Sequence, residues 1–155
     1  GETPILIHPF RHWERCSVAA ALAFRWDGRR TRLCFQTRSG PYNSTTLIGL
    51  LRQLKRHFRG RRIILLWDNL PAHRSRRMHA YLAQQRSWLT VEPLPAYAPE
   101  LNPAEPLFGN VKGQELANHG GDLAALAAAL RNGMARVRRD RDLAFAFLRH
   151  AGLSL

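Results

Sequence analysis

Residues 62–68 read Arg-Ile-Ile-Leu-Leu-Trp-Asp, an apolar run that begins after a cation and ends in a carboxylate. A short apolar run bounded in this way is typical of a β-strand. Residues 74–85 then have helical spacing, and residues 89–94 form a second short apolar run. A strand, a helix and a strand in this order predict an α/β unit. Ligands usually bind beyond the carboxyl ends of the strands in such units, which is where Asp68 stands.

Upstream of this unit the sequence predicts a β-hairpin. Residues 16–24 are almost wholly apolar, as expected of a strand buried on both faces, and residues 32–38 are its returning strand. The pair Asp27-Gly28 between them is a turn signal. Folding the chain about this turn places Cys34 well away from Cys16, so we expect no disulfide between them. The hairpin and the α/β unit together predict a mixed sheet flanked by helices.

Helical spacing of apolar residues predicts helices on either side of the α/β unit. Ser44 is expected to cap a helix that runs to about Phe58 and is stopped by Gly60. The other helices are expected after the turn-rich stretch 95–103, from Leu123 with Asp122 as cap, and around Leu143 and Phe147.

The chain has 155 residues and a formal net charge of +13, from 24 Lys+Arg against 11 Asp+Glu. This length fits one domain, and a hydrophobic content of 45% excludes a disordered polycation. No run approaches the roughly 20 apolar residues that span a bilayer, so we expect no membrane partner. Two cysteines without metal-ligand spacing are typical of a reduced, cytoplasmic protein. Nearly all the cations are arginines, whose guanidinium groups match phosphate oxygens. That excess favours a nucleic-acid partner; an ordinary solvated surface encoded by a GC-rich gene is the alternative.

Asp68 and Glu105 are the candidate catalytic residues and metal ligands. They are separated by 36 residues, enough for a helix, a strand and a turn that return Glu105 to the side of Asp68. Two carboxylates at one sheet edge suit Mg²⁺ or Mn²⁺.

Each carboxylate also has a structural interpretation. Asp68 is then the cap of the turn that follows it. Glu105 is the third residue of a helix with Asn102 as N-cap and Pro103 in the first position, as in a capping box. Pro106 conflicts with this second interpretation, because at the fourth position its missing N–H removes the first intrahelical hydrogen bond.

Magnesium together with a basic surface indicates phosphodiester chemistry. Two divalent ions activate a water or a 3′-hydroxyl on one side of the scissile bond and stabilise the leaving oxygen on the other. The sequence lacks the residues that other reaction classes require. Ser75 and Ser87 have no arranged base for nucleophilic catalysis, and residues 40–41 form no phosphate loop.

Two motifs around the carboxylates are recognisable together. Residues 66–73 read LWDNLPAH, and residues 94–105 read LPAYAPELNPAE. With these motifs the whole chain resembles the DDE transposases of bacterial insertion sequences, in the mariner-like branch. The resemblance implies a ribonuclease-H-like fold, two divalent metal ions, and homo-oligomeric cleavage of transposon ends and their transfer to target DNA. It also implies that Asp68 is the second acidic metal ligand and Glu105 the third.

The chain departs from that family at its beginning. In the family the first catalytic Asp lies on the central first strand, upstream of a Gly-x-Thr-Pro stretch like residues 1–4, where this sequence starts. Neither Glu14 nor Asp27 is a convincing substitute. We therefore expect residues 1–155 to form a partial catalytic domain that has no separate DNA-binding domain and does not cleave DNA by itself. Residues 3–8, or a strand of a partner chain, are expected to fill the central position of the sheet.

Polar residues near the carboxylates are candidate DNA contacts. They are Asn69, His73, Arg74, Arg76, Arg77 and Lys112. A histidine hydrogen-bonded within its own loop and a solvated helix face are the alternatives. A second basic group, residues 136–141, is expected to bind DNA weakly or to solubilise the chain end. Two other functions stay open: a non-catalytic DNA-binding or assembly module, and a related nuclease of the same fold.

Overall fold

The computed structural model describes residues 16–96, 98–116 and 123–155. The predicted strand at residues 3–8 and the predicted cap Asp122 lie outside these ranges. The strands are β1 (Cys16–Phe24), β2 (Thr31–Ser39), β3 (Ile63–Trp67) and β4 (Leu89–Pro93). The α-helices are α1 (Ser44–His57), α2 (Arg76–Ala83), α3 (Ala104–Val111), α4 (Leu123–Arg139) and α5 (Arg141–His150). A 3₁₀ turn (Pro99–Leu101) precedes α3, and a π-helical turn (Lys112–Leu116) follows it.

The strands form two pairs of opposite kind, which confirms the predicted hairpin and the predicted α/β unit. β1 runs antiparallel to β2, with Cys16 opposite Ser39. β3 runs parallel to β4, with Ile63 beside Leu89. Within the described residues the two pairs are separate two-stranded sheets, because none of the described strands bridges them.

The two cysteines lie apart in the hairpin, as predicted. Cys34 is opposite Ala21, whereas Cys16 is at the far end of β1. Both are free thiols. Burial raises the pKa of the Cys34 thiol, which keeps it protonated and poorly reactive.

Helices cover the strands and create two hydrophobic clusters. The first cluster joins α1 and α2 to β3 and β4 around the fully buried Leu51 and Met78. The second joins α3, α4 and α5 to the hairpin around Leu107, Val111 and Met134, which are also fully buried. Because successive strand residues face opposite sides, the hairpin contributes side chains to both clusters. None of the helices in the described ranges is long and apolar enough to cross a bilayer.

β3 is covered on one face within the described residues. Ile63, Leu65 and Trp67 pack into the first cluster, whereas Ile64 and Leu66 are 72% and 44% exposed. The helices of the second cluster pack against the hairpin instead. Both faces of β1 are covered, because its residues pack against both clusters. Its predicted burial on both faces is confirmed in part, since every residue of the strand is half-buried and none is fully buried.

The start of α1 differs by one residue from its prediction. Asn43, not Ser44, is the cap, because Asn43 Oδ1 accepts a hydrogen bond from the N–H of Thr46 at 3.0 Å. Thr46 Oγ1 accepts one from the N–H of Asn43 at 2.9 Å, which completes a reciprocal pair. Past the C-cap Phe58, Gly60 adopts a φ of 75° and turns the chain toward β3.

Candidate active site

The two candidate carboxylates line one cavity, although 36 residues separate them in the chain. Asp68 directly follows β3, and Glu105 lies in the first turn of α3. The cavity has a volume of about 200 Å³. Its other lining residues are Asn69, Leu94, Pro95, Ala96, Ala98, Pro99 and Asn102. The structure thus brings the two side chains together at the carboxyl end of the β3–β4 pair, while their binding of a metal stays a prediction.

Hydrogen bonds between the ends of β3 and β4 support one side of this cavity. The N–H of Leu94 donates to the carbonyl oxygen of Trp67 at 2.9 Å and extends the parallel pairing. The side-chain amide of Asn69 donates to the carbonyl oxygen of Leu94 at 2.7 Å. The sequence predicts Asn69 as a DNA contact, whereas in the structure its amide group ties the Asp68 loop to the segment that leads to Glu105.

The start of α3 is shifted by one position from its prediction, and the shift accommodates Pro106. The helix begins at Ala104, whose N–H donates to Asn102 Oδ1 at 3.1 Å, and Pro103 is the N-cap. Pro106 is therefore the third helical residue, where an N–H has no partner within the helix in any case. Asn102 Oδ1 thus supplies a side-chain acceptor at the start of α3, although Pro103 stands between Asn102 and the helix. The N–H of Asn102 donates to the carbonyl oxygen of Pro99 and not to the exposed Glu105 side chain, so the capping-box interpretation of Glu105 is wrong, and Glu105 lines the cavity.

Asp68 is held by its own loop. Asp68 Oδ1 accepts a hydrogen bond from the N–H of Leu70 at 3.3 Å and lies 2.9 Å from His73 Nδ1. The distance to Leu70 is longer than that of a usual N–H···O hydrogen bond. The predicted turn-capping role of Asp68 is therefore present in a weak form, and its side chain is still 43% exposed.

His73 packs inward, against the end of β3. Its ring stacks on that of Trp67, with 3.7 Å between the centroids and 28° between the planes, and its side chain is 10% exposed. His73 Nδ1 also lies 2.8 Å from the backbone carbonyl oxygen of Asp68. The histidine hydrogen-bonded within its own loop is therefore the interpretation that the structure favours over a DNA contact.

The predicted basic contacts lie near the two carboxylates in sequence but do not line the cavity. α2 begins at Arg76, two residues later than predicted, because residues 70–74 form turns and Ser75 caps the helix. The exposed side chains at this helix start are Arg74, Arg76 and Arg77. Lys112 is exposed at the opposite end of α3 from Glu105, about 10 Å away by helical rise. Contact of these side chains with DNA stays a prediction.

The cavity offers oxygen ligands from two acidic side chains. No group of three or more His, Cys, Asp or Glu that could hold a metal ion occurs within residues 16–96, 98–116 and 123–155. In that part of the chain neither Asp68 nor Glu105 pairs with an Arg or Lys. Carboxylates that no Arg or Lys side chain neutralises suit a hard divalent cation. Asn102 also lines the cavity, although the sequence analysis did not predict it as part of the site. Its position inside the motif 94–105 was the signal from which it could have been predicted.

The order of strands and helices agrees with the ribonuclease-H-like fold that the two motifs led us to expect. Its fold is similar to the solved structure of the Mos1 transposase catalytic domain with raltegravir and manganese, at a TM-score of 0.59 and 21% sequence identity. That match covers 88% of this chain and 75% of the other. The fold is also similar to the Mos1 mariner paired-end complex with manganese, at a TM-score of 0.62 and 20% identity, covering 94% of this chain and 42% of the other.

Comparison with a family model identifies the family to which the chain belongs. The model of the DDE superfamily endonucleases matches residues 1–124. The chain belongs to this family, which confirms the DDE family predicted from the two motifs, while its origin in a bacterial insertion sequence stays a prediction. Comparison with curated proteins gives no match.

Proposed function

We propose that this chain is the catalytic domain of a transposase that cuts DNA strands and joins the freed 3′-hydroxyls to a target. The observation that carries the proposal is the meeting of Asp68 and Glu105 in one cavity at the end of the β3–β4 pair. Membership of the DDE superfamily endonucleases supports the reaction class. Asp68 and Glu105 act as its metal ligands.

Mg²⁺ or Mn²⁺ is the cofactor of this proposal. The Mos1 catalytic domain has been solved with manganese and with magnesium. When bound, such an ion polarises the phosphodiester and lowers the pKa of the attacking water or hydroxyl. The chain's own residues hold the ligands in place: the loop after β3 orients Asp68, and the first turn of α3 presents Glu105.

DNA is the proposed partner, both as transposon ends and as target. One Mos1 structure is a paired-end complex, and the net charge of +13 on this chain favours a phosphate backbone. We assign backbone contacts to exposed cations near the two carboxylates in sequence: Arg74, Arg76, Arg77 and Lys112. Homo-oligomeric assembly and a cytoplasmic, nucleoid-associated location belong to the same proposal.

Calorimetric titration with Mn²⁺ tests the metal site. We expect Asp68→Asn and Glu105→Gln each to weaken Mn²⁺ binding by about tenfold or more, because each removes an anionic oxygen ligand. Glu100→Gln is the matched control, since Glu100 is exposed in the 3₁₀ turn before α3 but does not line the cavity. Equal binding by the wild-type chain and by Asp68→Asn would overturn the site.

A non-catalytic DNA-binding or assembly module is the second candidate. The described residues bring two acidic side chains to the cavity and no third, and this favours the module. Indifference to Mn²⁺ would support this module. Nicking of supercoiled plasmid by the 155-residue chain, abolished by Asp68→Ala, would favour the catalytic domain over this module and would contradict the expectation that the chain does not cleave DNA by itself.

A further inference from the structure

We propose that His73 is a positioning residue that holds the carboxylate of Asp68 by one oxygen and presents the other to the cavity. The inference rests on the proposed function in one respect, namely that Asp68 is a metal ligand. The contact itself is a property of the fold, and it differs from the DNA contact that the sequence predicts for His73.

The two distances at Nδ1 determine which nitrogen of the ring carries hydrogen. His73 Nδ1 lies 2.8 Å from the backbone carbonyl oxygen of Asp68 and 2.9 Å from Asp68 Oδ1. A backbone carbonyl oxygen only accepts hydrogen bonds, so Nδ1 must be the donor. When the imidazole of His73 is neutral, Nδ1 and not Nε2 therefore carries the hydrogen, which is shared between the two oxygens.

The ring is held in this position by its surroundings. It stacks on Trp67 at 3.7 Å, and the backbone N–H of His73 donates to the carbonyl oxygen of Leu70 at 2.9 Å. With 10% of the side chain exposed, the ring has little room to turn toward DNA. The packing of the ring thus aims the Nδ1–H donor at Asp68.

The two carboxylate oxygens of Asp68 have different surroundings. Oδ1 accepts from His73 and, at 3.3 Å, from the N–H of Leu70. Among residues 16–96, 98–116 and 123–155, no hydrogen bond to Oδ2 is found. A carboxylate that is 43% exposed would rotate freely without a donor at one oxygen. Removing such a donor from behind a metal ligand typically costs 10–100-fold in metal affinity.

Two substitutions separate this positioning role from a purely structural one. His73→Asn retains a side-chain N–H that reaches Asp68 but loses the stack on Trp67. His73→Phe retains the stack and loses the donor. We expect His73→Asn to bind Mn²⁺ nearly as well as the wild type but to melt at a lower temperature. We expect His73→Phe to melt near the wild type and to bind Mn²⁺ about 10–100-fold more weakly.

The experiment combines calorimetric Mn²⁺ titration and thermal melting of the three chains with ¹⁵N imidazole correlation spectra of the metal-free wild type. The expected spectrum shows the Nδ1–H tautomer for His73. An Nε2–H tautomer, or a His73→Phe chain that binds Mn²⁺ as tightly as the wild type, would overturn the inference. If Mn²⁺ binding were insensitive to Asp68→Asn, the proposed metal site would fail and with it the metal-directed role of His73. The tautomer would then still show whether His73 holds the carboxylate.

Discussion

Trp67 and Asp68 are adjacent residues with different roles at the end of β3. Trp67 packs into the first cluster and supplies the surface on which His73 stacks. Asp68 is the next residue and lines the cavity. Because His73 contacts both, the apolar packing of the strand end also orients the carboxylate.

Gly133 is needed in α4 because its neighbours leave no room for a methyl group. A Cβ at this position would lie 2.8 Å from both Val111 Cγ1 and Glu115 Oε2. Val111 is fully buried, and Glu115 is held by Arg136, so neither can move away easily. We expect Gly133→Ala to lower the free energy of unfolding by about 1–3 kcal/mol, measured by urea denaturation.

Gly49 in α1 provides the matched control for this substitution. Apart from its chain neighbours and the adjacent backbone of α1, no atom of the described residues lies within 4 Å of the position that its Cβ would occupy. Since alanine is the better helix former, Gly49→Ala should raise the free energy of unfolding by about 0.4–1 kcal/mol. A similar decrease in stability in both variants would contradict the steric argument for Gly133.

Among the elements, α4 and α5 are joined to the rest of the fold by the basic segment 136–141. Arg136 donates to Glu115 Oε1 at 2.7 Å, and this hydrogen bond raises the pKa of Arg136. Arg138 and Arg141 donate to backbone carbonyl oxygens of the hairpin at 3.1 and 3.0 Å. The segment was predicted to bind DNA weakly or to solubilise the chain, whereas these three guanidinium groups have partners within the fold.

The start of α1 gives a prediction at the level of the element. Asn43→Ala removes the side-chain acceptor of the Thr46 N–H and retains the backbone N–H that donates to Thr46 Oγ1, and it should lower the free energy of unfolding by about 0.5–2 kcal/mol. Ser44→Ala, one residue further on, should change it little, because Ser44 is the first helical residue and not the cap. Urea denaturation measures both. An equal decrease in the two variants would mean that the helix start is not where the structure places it.

In the whole molecule, the chemistry is concentrated in one part of the fold. The α/β unit of β3, α2 and β4, with the start of α3, supplies the cavity. The hairpin with the rest of α3, α4 and α5 supplies the second hydrophobic cluster. Exposed arginines, by contrast, occur in several parts of the fold. A test of DNA binding therefore has to compare arginines at different positions.

Two triple variants separate a local DNA contact from the effect of net charge. Each replaces three exposed arginines by glutamine: positions 74, 76 and 77 beside the Asp68 loop, or positions 59, 61 and 62 before β3. We expect only the first set to reduce the salt dependence of duplex binding, by about 0.9 in the slope of log K against log salt for each DNA phosphate that the variant no longer neutralises. Fluorescence anisotropy at several salt concentrations measures this slope. Equal reductions in both variants would indicate diffuse attraction instead of a defined binding surface.

The sequence by itself determined the element types and the family. The hairpin turn, the apolar run 62–68 and the spacing of α1 depend on residues that are two to four positions apart, so a local pattern is enough to predict them. The motifs at 66–73 and 94–105 identified the two carboxylates and the family for the same reason, because each is a contiguous string. Boundaries moved by one or two residues where neighbouring polar side chains competed to cap a helix.

Only the tertiary structure decided that Asp68 and Glu105 share a cavity, that His73 turns inward onto Trp67, and that Pro106 fits at the third position of α3. It also showed that arginines 136, 138 and 141 are bound within the fold. Several of these outcomes depend on contacts between segments that are tens of residues apart. Such contacts are set by how strands pair and helices pack, and local sequence periodicity does not encode that geometry.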